Sequence, residues 1–134
     1  FENHHWRSLL PPFRHLGLDV VPIESSRDLM EEAAAMCHCV YASAPRCREG
    51  LSRIFSLRKD GDWLATFEIA LRDGRWRLVQ VRGECNARPR SALLCFYVAR
   101  KTARRYNLVW ARVVSQFESA RSGRCGLGSD QRVA

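Results

Sequence analysis

His38, Glu68 and Gln80 are the residues of this chain best suited to move a proton and to orient the group that moves it. Histidine titrates nearest neutral pH, a carboxylate can orient its ring, and an amide can both donate to and accept from a ligand. Cys39 adds a thiol next to the histidine, and Arg58, Thr66, Arg82, Gly83 and Asn86 add further polar or turn-forming positions. In an enzymatic reading His38 is the general acid or base, Cys39 a nucleophile, and Glu68 the group that orients the imidazole. The turn from Gly83 to Asn86 would then offer backbone N–H groups and an amide to a developing oxyanion. Neighbouring residues on a helix point about 100° apart, so His38 and Cys39 converge poorly on one atom. His38 with Glu68 and Gln80 is therefore the stronger catalytic set.

These residues need a scaffold, and the sequence predicts a short antiparallel meander. Lys59-Asp60-Gly61-Asp62 and Arg72-Asp73-Gly74-Arg75 place Asp-Gly between alternating apolar runs, a strong hairpin signal. Three strands follow, at 52–58, 63–71 and 75–82. Alternation assigns Phe55, Leu57, Ala65, Phe67, Ile69, Leu71, Val79 and Val81 to an apolar face. Ser56, Arg58, Thr66, Glu68, Gln80 and Arg82 share the other face. Leu64, Trp76 and Leu78 are expected beside them, so this half-apolar face should be covered by another element or a ligand.

Ser25 and Asp28 resemble a capping box and open a helix expected to run to about Val40, with Met30, Ala33, Ala34, Cys37 and Tyr41 as its buried stripe. Gly83 is read as supplying positive φ to the turn before Pro89. Ser91 should cap a helix over 92–106 that Asn107 ends, and a further helix is expected over 108–120. Residues 1–24, broken by Pro11, Pro12 and Pro22, read as an irregular lead-in, and 121–134 as a flexible tail. The fold class is α+β: one domain, a three-stranded meander packed with about three helices.

Composition narrows the function classes. The chain has 134 residues and 46% hydrophobic content, enough for one core, and no uncharged apolar run of membrane-spanning length. It starts at Phe1 with no signal-peptide pattern, so it reads as part of a longer parent chain acting in the cytoplasm. Basic residues number 22 against 14 acidic, a net charge of +8, and nearly all are Arg. Arg binds phosphate bidentately and stacks on bases, and Arg88, Arg90, Arg100, Arg104 and Arg105 crowd the second half. DNA or RNA is therefore a candidate partner, alongside other domains of the parent. Six cysteines without a regular framework are expected to be reduced thiols. A zinc site from Cys37, His38, Cys39, Cys47 and Cys85 is disfavoured by the Cys-x-Cys step, which on a helix sends its thiols to opposite sides. No cofactor or resident metal is expected.

Met36-x-His38-Cys39-Val40, Cys47-x-x-Gly50, Ile54-Phe55-Ser56-Leu57-Arg58, Ala65-Thr66-Phe67-Glu68-Ile69 and Gln80-x-Arg82-Gly83-x-x-Asn86 together resemble the PcfJ-like family over about half the chain. The resemblance implies one PcfJ-like α+β domain over 25–107, an origin in bacterial plasmids, phages or chromosomes, and an accessory role in mobile genetic elements, without a settled activity. It marks His38, Cys39, Arg58, Thr66, Glu68, Gln80, Gly83 and Asn86 as the family pattern. The pattern commonly continues Gly-Ser-Tyr after His-Cys-Val, whereas Tyr41-Ala42-Ser43 stands here, displacing the tyrosine by two positions.

Three functions follow from different classes. The first is a nucleic-acid-associated accessory module, with arginines on phosphates and Trp76, Tyr97 or Tyr106 as stacking groups. The second is an enzyme using His38, Glu68 and Gln80. The third is an interaction or structural module in which Thr66, Glu68 and Gln80 hydrogen-bond His38 and lock helix to sheet.

Overall fold

The computed structural model describes residues 1–133, and side chains up to Ser122. It has an α+β architecture built on one five-stranded antiparallel sheet in meander order. The strands are β1 (Phe13–His15), β2 (Leu18–Ile23), β3 (Ser52–Lys59), β4 (Asp62–Arg72) and β5 (Arg75–Arg82). The helices are α1 (Ser26–Met36), α2 (Ala44–Arg48) and α3 (Ala92–Val133), with 3-10 turns at Val40–Ser43 and Glu84–Asn86.

Two strands more than expected come from the segment read as an irregular lead-in. Leu18, Val20 and Pro22 are buried at period two, and Leu16 and Gly17 both take positive φ to turn β1 into β2. Pro22 breaks nothing, because β1 begins only at Phe13, opposite Val20, leaving Pro22 where β2 is itself the sheet edge. Both expected Asp-Gly hairpins form, with Asp60, Gly61, Asp73 and Gly74 all at positive φ.

One sheet face packs on α3. Phe55, Leu57, Ala65, Phe67, Ile69 and Val81 meet Cys95, Val98, Ala99, Ala103 and Tyr106 in the larger core. Two β-bulges change this face from the expected alternation. The shift between Glu68 and Ile69 pairs Ile69 with Leu78 and leaves Val79 as the extra residue, so Val79 is exposed. The same shift turns Trp76 and Leu78 onto the α3 side, and Leu64, beside the bulge at Leu57 and Arg58, joins that core too.

α3 also departs from the expected pair of helices. Asn107 does not end it: its side-chain amide donates to the Trp76 carbonyl at 2.8 Å and its oxygen accepts from the Trp76 N–H at 2.7 Å. The residue read as a helix stop thus clamps the outer edge of β5. The helix continues through 108–120 and on to Val133, where a flexible tail was expected over 121–134; side chains from Gly123 onward, and Ala134, lie outside the described residues.

The other face carries α1 and the 37–51 segment over Ile23, Leu29, Val40, Ala44, Cys47 and Ile54. Ser25 caps α1 as its spacing to Asp28 predicts, accepting from the Asp28 N–H at 3.0 Å. The buried stripe is not the expected one. Leu29, Glu32 and Met36 face inward, whereas Met30, Cys37 and Tyr41 are exposed. The helix is also shorter than expected: Cys37 adopts the left-handed conformation (φ 53°, ψ 48°) and closes it by donating to the Ala33 carbonyl. His38 and Cys39 therefore lie beyond the helix. Among the described residues no helix is long and apolar enough to cross a membrane.

Candidate functional site

A cleft of about 200 Å³ opens between the 38–43 segment and the polar sheet face. His38, Cys39, Thr66, Glu68, Gln80, Arg82 and Asn86 all line it, so the structure gathers seven of the expected site residues in one place. β4 supplies Thr66 and Glu68 from alternate positions, and β5 sets Gln80 opposite Glu68 and Arg82 opposite Thr66. Val40 and Ala42 add apolar wall.

The core of the site is a chain of three side chains from three elements. His38 Nε2 lies 2.9 Å from Thr66 Oγ1, and the Thr66 hydroxyl donates to Glu32 Oε2 on α1. Because the only hydroxyl proton of Thr66 is committed to the carboxylate, its oxygen must accept from His38, which places the neutral ring's proton on Nε2. The Val40 N–H points at Nδ1 at 3.4 Å, which fits the same tautomer. Nδ1 is then the basic nitrogen. Burial holds His38 below its ordinary 6.5, opposed by its backbone hydrogen bond and by the Glu32 charge. At neutral pH the ring is uncharged and able to accept a proton.

Glu32 is the member of this chain of side chains that sequence reasoning missed. It is 1% exposed, and a buried carboxylate needs partners to offset desolvation. It has three: Thr66, the Trp63 indole N–H at 2.8 Å, and Arg58 Nη2 at 3.9 Å. Arg58 does not line the cleft. Its guanidinium stacks over Trp63 at 4.7 Å and donates to Ser56 Oγ at 3.1 Å, closing the far side of the Glu32 site. The signal was available in the pattern Leu29-x-x-Glu32-Ala33-x-x-Met36, in which a glutamate occupies an inward helix position.

Glu68 belongs to a second chain. It accepts from Ser52 Oγ at 2.8 Å and from Gln80 Nε2 at 3.1 Å, and Gln80 Oε1 in turn accepts from Arg82 Nε at 3.4 Å. His38 and Glu68 are thus brought to one cleft, but the partner of the imidazole is Thr66. Cys47 lies beneath this chain, and burial pushes its thiol up to about 12, leaving it inert.

Gly83 shapes the rim without entering the cleft. Its φ is −87°, so positive φ is not its reason. A Cβ there would sit 2.6 Å from Pro89 Cα: the chain crosses itself at this point, and the Gly83 N–H donates to the Ala87 carbonyl at 2.7 Å. The crossing presents Asn86, at φ 60°, to the cleft.

The arginines assigned to nucleic acid lie elsewhere. Arg100, Arg104 and Arg105 are exposed on α3, which covers the sheet face opposite the cleft, and Arg88 and Arg90 are exposed in the segment after the rim. None is ion-paired among the described residues. Arg105 lies over the Phe13 ring at 4.2 Å. Of the three expected stacking aromatics, Trp76 and Tyr106 are buried in the core and Tyr97 is half exposed. Among the described residues no three His, Cys, Asp or Glu side chains converge as metal ligands.

The family model described as PcfJ-like protein matches residues 13–93, which spans β1 to the start of α3 and contains every residue of the cleft. No curated protein and no solved structure matches the chain.

Proposed function

The chain belongs to the PcfJ-like family, and from that premise we propose that its cleft is a ligand-binding and proton-transfer site in an accessory module of bacterial mobile genetic elements, working in the cytoplasm. The observation that carries this reading is the Glu32–Thr66–His38 chain. A purely structural link between helix and sheet would be served by apolar packing at lower desolvation cost. Here a buried carboxylate instead fixes one tautomer of a half-buried imidazole at the wall of an open cleft. His38 is the base, through Nδ1, and the Glu32 charge stabilises the imidazolium that forms when it takes a proton. Gln80, Asn86 and Arg82 supply donors and acceptors that would orient a polar ligand.

Site-resolved acylation with diethyl pyrocarbonate tests whether that base is available. The reagent needs an unprotonated, accessible imidazole nitrogen. At pH 7, above the 6.5 that burial holds it below, His38 should be acylated in the folded chain. An unreactive His38 would overturn the reading, because Nδ1 would then stay held by the Val40 N–H and be unavailable to a ligand.

The exposed, unpaired arginines favour a second reading, association with DNA or RNA. Each phosphate neutralised releases counterion, so affinity should fall steeply with salt and be lost in an Arg100, Arg104 and Arg105 triple alanine variant. Salt-insensitive binding, or none at low salt, would remove it.

A further inference from the structure

Cys37 and Cys85 lie outside the Glu32–Thr66–His38 chain, yet they frame the cleft. Each immediately precedes a cleft residue, His38 in one case and Asn86 in the other. The end of α1 packs against the 84–86 turn, and Cys37, directly after α1, and Cys85, at the centre of that turn, are neighbours there. Both are exposed. Both also take left-handed backbone, φ 53° at Cys37 and φ 56° at Cys85, a conformation that glycine or asparagine adopts at less cost. Two positions whose backbone favours glycine therefore carry cysteines, and the folded chain brings their side chains together.

We propose that Cys37 and Cys85 form a reversible disulfide that ties the mouth of the cleft, with low-molecular-weight disulfides such as oxidised glutathione as the reacting class. The thiolate of one cysteine attacks a sulfur of the small disulfide and releases one equivalent of the small thiol, leaving a mixed disulfide. The neighbouring cysteine loses its proton to solvent, attacks the protein-side sulfur and expels the second small thiol. The protein loses two hydrogens and two electrons, and the small disulfide gains them. The remaining described cysteines are placed differently: Cys47 and Cys95 are buried with their thiols pushed up by burial, and Cys39 is exposed without a thiol partner among the described residues. The bond would join the residue before His38 to the residue before Asn86 and hold the two cleft walls at fixed separation.

The whole chain is incubated with oxidised glutathione, quenched with acid, alkylated under denaturing conditions, and mapped by peptide mass spectrometry. The expected product has two fewer alkylatable thiols than the six of the reduced chain, and a Cys37–Cys85 linked peptide that dithiothreitol removes. Cys39→Ser should leave the link intact, and Cys37→Ser or Cys85→Ser should abolish it, leaving a stable glutathione adduct on the other. Both positions are exposed, and Cys37→Gly and Cys85→Gly suit the backbone, so folded variants are available for both controls. Stable glutathione adducts on both cysteines in the unmutated chain, or a link through Cys39 instead, would overturn the proposal. The disulfide is scored independently of ligand binding, so its absence leaves the reading of His38 untouched.

Discussion

Replacing Thr66 by valine removes one hydroxyl from the centre of the site at nearly constant volume. Thr66 is 3% exposed and its oxygen serves two bonds, one donated to the Glu32 carboxylate and one accepted from His38. A hydrogen bond to a charged group contributes about 1.5–3 kcal/mol and a neutral one about 0.5–1.5 kcal/mol. Glu32 keeps Trp63 and Arg58, and half-buried His38 can turn to water, so the loss should fall well short of the two maxima together. About 2–3 kcal/mol is expected, read as a lower urea midpoint with an unchanged slope. Thr66→Ser, which keeps the hydroxyl and loses a methyl, should cost about 1 kcal/mol. The valine variant should also release the His38 ring, broadening or shifting its imidazole signals. Stability within about 0.5 kcal/mol of the parent, the range of an ordinary surface change, would refute the reasoning, because Thr66 would then not join His38 to Glu32.

Other perturbations separate the remaining parts of the account. Glu32→Gln removes a charge that raises His38, so the His38 titration midpoint should fall further and stability should drop by about 1–3 kcal/mol, checked by NMR titration and urea unfolding. Because folding lowers the His38 pKa, the unfolded chain binds more protons just below 6.5; stability should therefore decline as pH falls through that window, and His38→Gln should flatten the decline. Gly83→Ala forces a Cβ against the Pro89 backbone and should cost about 1–3 kcal/mol by thermal or urea unfolding, as overpacking does. The Arg100, Arg104 and Arg105 triple alanine change should leave the unfolding midpoint nearly intact, apart from roughly 0.5–1 kcal/mol for the Arg105–Phe13 contact, while removing any salt-sensitive nucleic-acid binding.

Much of the site was legible because strands with one buried face leave a clear period of two. Thr66, Glu68, Gln80 and Arg82 could be assigned to one face from alternation and two Asp-Gly turns alone. The bulge at Val79 was not legible, since one extra residue changes the side of everything before it without a signature in residue type. The hairpin of β1 and β2 was hidden by Leu16 at its turn, an uncommon residue at positive φ, and by Pro22 on an edge. Glu32 was hidden for a different reason. A charged residue on a helix is normally solvated, so the phase of α1 was read one residue off, and the partners that make its burial tolerable come from β3 and β4. The left-handed stop at Cys37 carries no glycine to announce it, which is why His38 was expected on the helix.

The most direct test of the site is the protonation of His38 itself, followed by long-range 1H–15N spectra of its imidazole across pH. The expected result is a neutral ring at pH 7 with its proton on Nε2, bonded to Thr66, and a midpoint below 6.5. A proton on Nδ1 at neutral pH, or a midpoint at or above 6.5, would contradict a base held ready by Thr66 and Glu32.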